Sequence, residues 1–159
     1  MNINERLKDK ISSMSVKELY CHIYVDIVTG LQNRSAFEDR EPHEAISIID
    51  MDSLKYINDN YGHRIGDSFL KQLGNDLVST FGYDRVFRLS GDEFVVIGPD
   101  QNILDTRLSL LSDKNKTFSY GTGKDLMAAD DSLNRNKVIR EKCGKRSPRG
   151  IKPNWAVEL

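Results

Sequence analysis

Apolar side chains recur at helical spacing at the start of the chain, at Ile3, Leu7, Ile11 and Met14, with charges between them. Ser12 and Ser13 weaken the end of that helix. Ser15-Val16-Lys17-Glu18 then has the form of a capping box, opening a second helix with Val16, Leu19, Tyr20 and Ile23 on one face. Packing on their own domain is the first expectation for both faces, and a dimerisation surface is the second. Residues 26–34 read as a loop broken by Gly30. Asn33 is placed to cap a short helix over 34–38, which Glu41-Pro42 ends. Residues 45–51 are too uniformly apolar for an exposed strand and predict a central, buried one with Asp50 at its carboxyl end. Leu54, Ile57 and Tyr61 form the inward stripe of the next helix, with Asp52 placed to cap it. Residues 61–67 break that helix, and Leu70, Leu73, Leu77 and Phe81 predict another over 67–81. Apolar runs at 85–89 and 93–98 flank Ser90-Gly91-Asp92, the signature of a hairpin tipped with acids. A helix over 102–111, a polar turn, a strand over 117–121 and a last helix over 126–142 complete the pattern. Gly121-Thr122-Gly123 reads as a strand end rather than a phosphate loop.

Helices fall between most strands, with one hairpin in the middle. That order suits an α/β fold, an α+β sandwich of ferredoxin-like or palm-type architecture with a central mixed, mostly antiparallel sheet flanked by helices. The 159 residues fit one domain, and 38% hydrophobic with 30% charged residues is an ordinary globular composition. A net charge of −1 supplies no global field toward nucleic acid or membrane. No stretch approaches membrane-spanning length and no signal-peptide core is visible, so the expected location is the cytoplasm. Cys21 and Cys143 form no metal-ligand pattern and are expected as free thiols. Basic residues gather late, at Lys137, Arg140, Lys142, Lys145, Arg146, Arg149 and Lys152, with Pro148 and Pro153 interrupting them. A solvated tail is expected there. No aromatic residue interleaves the run before Trp155, so nucleic-acid stacking is poorly supported.

The chemistry lies in the acids. Asp50 ends a buried strand and Asp92 sits at the hairpin tip. If those strands are neighbours, the two carboxylates converge on one edge of the sheet. Hard oxygens suit Mg²⁺ or Mn²⁺, and a cation between two acids orients a triphosphate. Lys55 and Lys137 are candidate phosphate contacts. Solvated acids on a surface turn are the plainer alternative.

Four blocks together resemble the GGDEF family of diguanylate cyclases. Residues 26–34 resemble its D-x-L-T-G-L-x-N-R segment. Residues 50–67, DMDSLKYINDNYGHRIGD, resemble its long D-x-D-x-F-K-x-x-N-D-x-x-G-H-x-x-G-D run, with Leu54 for phenylalanine. Residues 88–94 read RLSGDEF where the family has R-x-G-G-D-E-F. Ser119-Tyr120-Gly121, Ala129-Asp130 and Lys137 resemble its closing pattern. The resemblance implies a palm-like domain that condenses two GTP molecules into cyclic di-GMP, each chain of a homodimer holding one GTP. It implies Mg²⁺ or Mn²⁺, two per half-site, on Asp50, Asp92, Glu93 and the Met51 carbonyl. Asp92, Glu93 and Lys55 would be catalytic. Asn58 and Asp67 would read the guanine edge, Lys55, Lys137 and Arg140 would meet phosphates, and Ser90-Gly91 would lie along the nucleotide.

The chain also departs from the pattern. Ser90 replaces the first glycine, and any positive φ there would be strained. Phe81-Gly82-Tyr83-Asp84 lacks the arginine of the R-x-x-D inhibition motif, so no inhibitory site is expected. Asn134 replaces a tyrosine, and Glu141 stands where a second basic residue is common. The expected organisation is a helical segment over 1–25, a GGDEF-like domain over 26–142 and a basic tail over 143–159. No sensor unit is visible, so only the first two helices could help two chains meet. The alternative function is a degenerate domain that binds GTP or a protein partner without turnover.

Overall fold

The computed structural model describes residues 2–40 and 45–156. Helices α1 (Ile3–Ser12) and α2 (Val16–Tyr24) lead into a loop, the short strand β1 (Gln32–Asn33) and helix α3 (Arg34–Glu38). Strand β2 (Ala45–Met51), helices α4 (Leu54–Tyr61) and α5 (His63–Phe81), and the hairpin of β3 (Val86–Ser90) and β4 (Glu93–Gly98) follow. Helix α6 (Gln101–Asn115), strand β5 (Phe118–Gly123) and helix α7 (Leu126–Lys142) close the domain.

The sheet order is β1-β3-β4-β2-β5. Only the β1–β3 pair is parallel, so the sheet is mixed and mostly antiparallel as expected. Strand β2 lies between β4 and β5 with every residue buried, which explains its lack of alternation. Ala45, Ile49, Met51, Phe94, Val96 and Phe118 pack under α4, α5 and α6 through Leu54, Leu70, Leu73, Leu77, Leu104 and Leu108. Ile46, Ile48, Phe87, Val95 and Ile97 pack on the opposite face against Ala36 and Phe37 of α3 and Ala129 and Leu133 of α7. Each fully buried Ile, Leu or Phe contributes about 1.5–3 kcal/mol.

Local signals hold where a side chain meets its own backbone. Ser15 and Glu18 form the expected capping box, and Asn33 Oδ1 accepts from the Ala36 amide at 3.1 Å. Glu41 and Pro42, expected to end α3, lie outside the described residues. The break between α4 and α5 is narrower than expected. Gly62, with φ of +86°, makes the whole turn, and α5 begins at His63 rather than near Asp67. Gly66 belongs to the helix instead, where a Cβ would stand 1.9 Å from Asn58 Oδ1.

Packing overrules the sequence at both ends. Neither α1 nor α2 contains a buried residue, and Ile3, Leu7 and Ile11 are 76%, 57% and 48% exposed. The expectation that both faces pack on their own domain is therefore corrected for α1, while α2 meets the domain through Tyr24 at its end, which packs on the cluster around Phe87. The basic tail is also not simply solvated. Trp155 rests on Phe69 of α5 with ring centroids 5.2 Å apart, and Ser147, Pro153 and Ala156 are buried.

Gly121 and Gly123 lie within β5, which extends two residues past the expected end. A Cβ on Gly121 would meet the Leu133 amide nitrogen at 2.0 Å, because the α7 backbone lies directly against the strand. Gly121→Ala is expected to force the helix from the sheet and to destabilise the domain by at least about 1–3 kcal/mol. Chemical denaturation checks this, and an unchanged midpoint would refute the close contact.

Candidate active site

The carboxyl end of β2 and the β3–β4 turn meet at one edge of the sheet. Asp50 stands across from Glu93 in the β2–β4 ladder, so their side chains share a face. The Met51 amide donates to the Asp92 carbonyl at 2.9 Å and fastens the hairpin tip to the end of β2. Asp50, Met51 and Asp92 line one cavity of about 370 Å³ with Ser53, Leu54, Lys55 and Lys137. The two acids and two lysines expected to act together therefore converge.

The tip is held from behind by Arg88. Its Nε and Nη2 donate to the Gly91 carbonyl at 3.1 and 2.7 Å, and Nη1 reaches Asp26 at 2.9 Å. Asp26 also accepts from the Thr29 amide and hydroxyl. Burial pushes the Asp26 carboxyl up, but the Thr29 and Arg88 hydrogen bonds outweigh it and hold the group below its ordinary range. Loop 26–34 thus ties the hairpin down. The positive φ of the turn falls on Gly91, at +43°, while Ser90 stays in β3 outside the positive-φ residues. Serine adds no backbone strain there. Its exposed hydroxyl is 3.5 Å from Glu93 Oε2.

Asp50 is buried and pairs with Lys137 Nζ at 2.9 Å. Burial pushes its carboxyl above the ordinary range, Lys137 pulls it back, and the nearby Asp92 and Asp52 charges add to the rise. Such a group gains from an added cation. Among the described residues no three His, Cys, Asp or Glu side chains form a metal cage. Two carboxylates and a main-chain carbonyl suit a hard ion that arrives with phosphate oxygens, as Mg²⁺ does. Helix α4 opens into the same cavity, and among the described residues its first amides have no side-chain cap and the buried Ser53 Oγ has no partner. Free amides at a helix start attract an anion.

Other expected residues lie elsewhere. Asn58 on α4 and Asp67 on α5 occupy adjoining helices outside the cavity lining, and the buried Asn58 Oδ1 has no hydrogen-bond partner among the described residues. Arg140, expected to meet phosphate, is buried behind the site. Its Nη1 donates to Ser112 Oγ at 2.9 Å, and Nη2 is 3.5 Å from Asp52. Asp52 does not cap α4. It accepts from Ser119 Oγ at 2.9 Å and from Arg146 Nε at 2.7 Å. Arg146 and Arg149, both from the tail, line the acid cavity and were missed as site residues. Only their charge was legible in advance.

Residues 23–116 match the family model described as Diguanylate cyclase, GGDEF domain. The chain belongs to the GGDEF family. The diguanylate cyclase DgcS of Shewanella oneidensis is 32% identical over 103 residues, covering 57% of this chain and 35% of that protein. The cyclic di-GMP phosphodiesterase PdeR of Escherichia coli is 35% identical over 82 residues, covering 45% of this chain and 12% of PdeR. This GGDEF chain thus spans about a third or less of the length of these curated relatives. A solved sensory box/GGDEF family protein from Caulobacter crescentus is 26% identical with a TM-score of 0.59, covering 73% of this chain and 99% of that one. Among the described residues no helix of this GGDEF chain is long and apolar enough to cross a membrane.

Proposed function

We propose that this GGDEF domain is a diguanylate cyclase that joins two GTP molecules into cyclic di-GMP. The observation that carries the reading is the convergence of Asp50, Asp92, Lys55 and Lys137 on one cavity beside the uncapped start of α4. Lys55 is exposed at the cavity wall and receives phosphate oxygens with the α4 amides. Lys137, which pairs with Asp50, would meet the phosphates. Asp50 and Asp92 would hold Mg²⁺, which would supply positive charge to offset that developing on the phosphates. Asp92 and Glu93 divide ligand and base roles at the 3′-hydroxyl. That oxygen bonds to the α-phosphorus of the second GTP and pyrophosphate leaves; the remaining 3′-hydroxyl then attacks the remaining α-phosphorus, a second pyrophosphate leaves, and the ring closes. The two nucleotides need two chains, and the exposed Ile3, Leu7 and Ile11 face of α1 is a suitable contact between them.

Purified protein incubated with GTP and Mg²⁺ at high concentration is expected to give cyclic di-GMP on chromatography, and no dinucleotide at all would overturn the reading. Asn58 and Asp67 are assigned to guanine, since Asp accepts from its N–H groups and Asn both donates and accepts. Asp67→Ala is expected to lower the preference for GTP over ATP by about tenfold or more. Competition binding of the two nucleotides checks this, and an unchanged ratio would refute the assignment.

A second reading is a GTP-binding regulatory module without turnover. The Lys137–Asp50 pair at 2.9 Å and Glu141 in place of a basic residue favour it. GTP binding with no product from wild type would select it.

A further inference from the structure

The segment after α7 is basic, yet Arg146 turns inward. Helix α7 ends at Lys142, and the Lys145 and Arg146 amides both return to the Arg140 carbonyl, at 2.8 and 3.2 Å. The chain then doubles back as a strap. Arg146 Nε is 2.7 Å from Asp52, its Nη1 meets Glu141, and Ser147 is buried beside it. Burial disfavours the Arg146 charge, but Asp52 and Glu141 more than compensate and hold its pKa above the ordinary value. Arg146 is therefore an anchor whose charge is already used. Beyond it the Ile151 amide donates to the Pro148 carbonyl at 3.1 Å, closing a turn, and Trp155 secures the far end on Phe69.

Between those two anchors, Arg149 and Gly150 form part of the wall of the acid cavity. Arg149 is exposed and makes no ion pair or side-chain hydrogen bond among the described residues. The cavity wall carries Asp50 and Asp92 against Lys55, Lys137, Arg146 and Arg149. Lys137 is matched by Asp50, and Arg146 by Asp52 and Glu141. Lys55 and Arg149 remain as the uncommitted cations. The oxygens of a polyphosphate are acceptors that two such cations complement.

We infer that the strap at 144–156 is a built part of the nucleotide site and that Arg149 binds the polyphosphate of GTP. The inference rests on the proposed GTP reading and deepens it. Glu141 no longer leaves the site short of a cation. It is one of two acids that hold Arg146, and so fix the strap that presents Arg149. Guanidinium is suited to the task because its planar donors can bind two phosphate oxygens together.

Calorimetric titration of the full chain with GTP, and separately with inorganic triphosphate, in Mg²⁺ buffer tests the assignment. Arg149→Ala is expected to weaken both ligands by about tenfold, with Arg149→Lys intermediate. Lys152→Ala, on the same strap but away from the cavity lining, is expected to leave both affinities unchanged. Wild-type binding of GTP with equal binding by Arg149→Ala would overturn the inference and leave the GTP reading standing. Tighter binding by Arg149→Ala would overturn it in favour of a strap that plugs the cavity. Wild-type protein that binds neither ligand would overturn both.

Discussion

Asp92→Ala is expected to reduce cyclic di-GMP formation by about 10³-fold or more while leaving the melting temperature nearly unchanged. On the proposed function the two effects separate, because Asp92 serves the fold through its main chain and would serve the chemistry through its side chain. Its carbonyl accepts from the Met51 amide, a bond that alanine keeps. The turn conformation is set by Gly91 and fixed by Arg88, which bonds the Gly91 carbonyl rather than Asp92. The Asp92 carboxylate itself makes no hydrogen bond or ion pair among the described residues, so its loss changes stability by about 0.5 kcal/mol or less. Its charge nevertheless falls on Asp50, helping to hold that carboxyl up. Removing it leaves Asp50 alone to face an incoming cation and leaves Asp50 better satisfied by Lys137. Loss of several kcal/mol of charge stabilisation in the transition state corresponds to about 10³-fold in rate. Product chromatography and thermal unfolding of the same preparation read both quantities. Turnover within about tenfold of wild type would remove Asp92 from the metal site.

The sequence made most of the scaffold legible because local and tertiary demands agreed there. The uniform run of β2, the Leu70–Leu73–Leu77–Phe81 stripe of α5 and the Ser-Gly-Asp turn each carried one period and one partner type. Strand β1 escaped because two residues have no period, and only pairing with Phe87 and Arg88 defines it. The start of α5 was misplaced because a glycine that breaks a helix and one that lets two helices touch look alike in sequence. At the site, Asp50, Asp92, Lys55 and Lys137 followed from motif spacing. Arg140 was misassigned because its direction on α7 depends on Ser112, 28 positions away in the chain. The strap was hidden for a similar reason. A basic, proline-interrupted segment resembles a solvated tail unless its counter-charges, Asp52 and Glu141, are known to lie beneath it.

That hidden partnership sets the second large effect. Asp52→Ala is expected to destabilise the domain by about 3–5 kcal/mol, because it takes the acid from buried Arg140 and leaves Arg146 with Glu141 alone. Asp52 has 2% of its side chain exposed, and its neighbours Arg140 and Arg146 have 10% and 14%. Ser119 Oγ also loses its acceptor. For a chain of this length the change corresponds to a fall in melting temperature of roughly 10 °C. Asp52 is the second acid of the Asp50-x-Asp52 pair, and a role in cation binding predicts a different pattern: activity lost, stability kept. Pairing Asp52→Ala with Arg146→Met decides between them. If the charge cluster is what matters, the double variant recovers part of the lost stability, since a nonpolar side chain in place of the stranded guanidinium removes the uncompensated charge. Two additive losses would dismiss the coupling. A single variant with wild-type melting would dismiss the buried network altogether. Because Arg146 fixes the strap, the double variant is also expected to bind inorganic triphosphate more weakly even though Arg149 is still present.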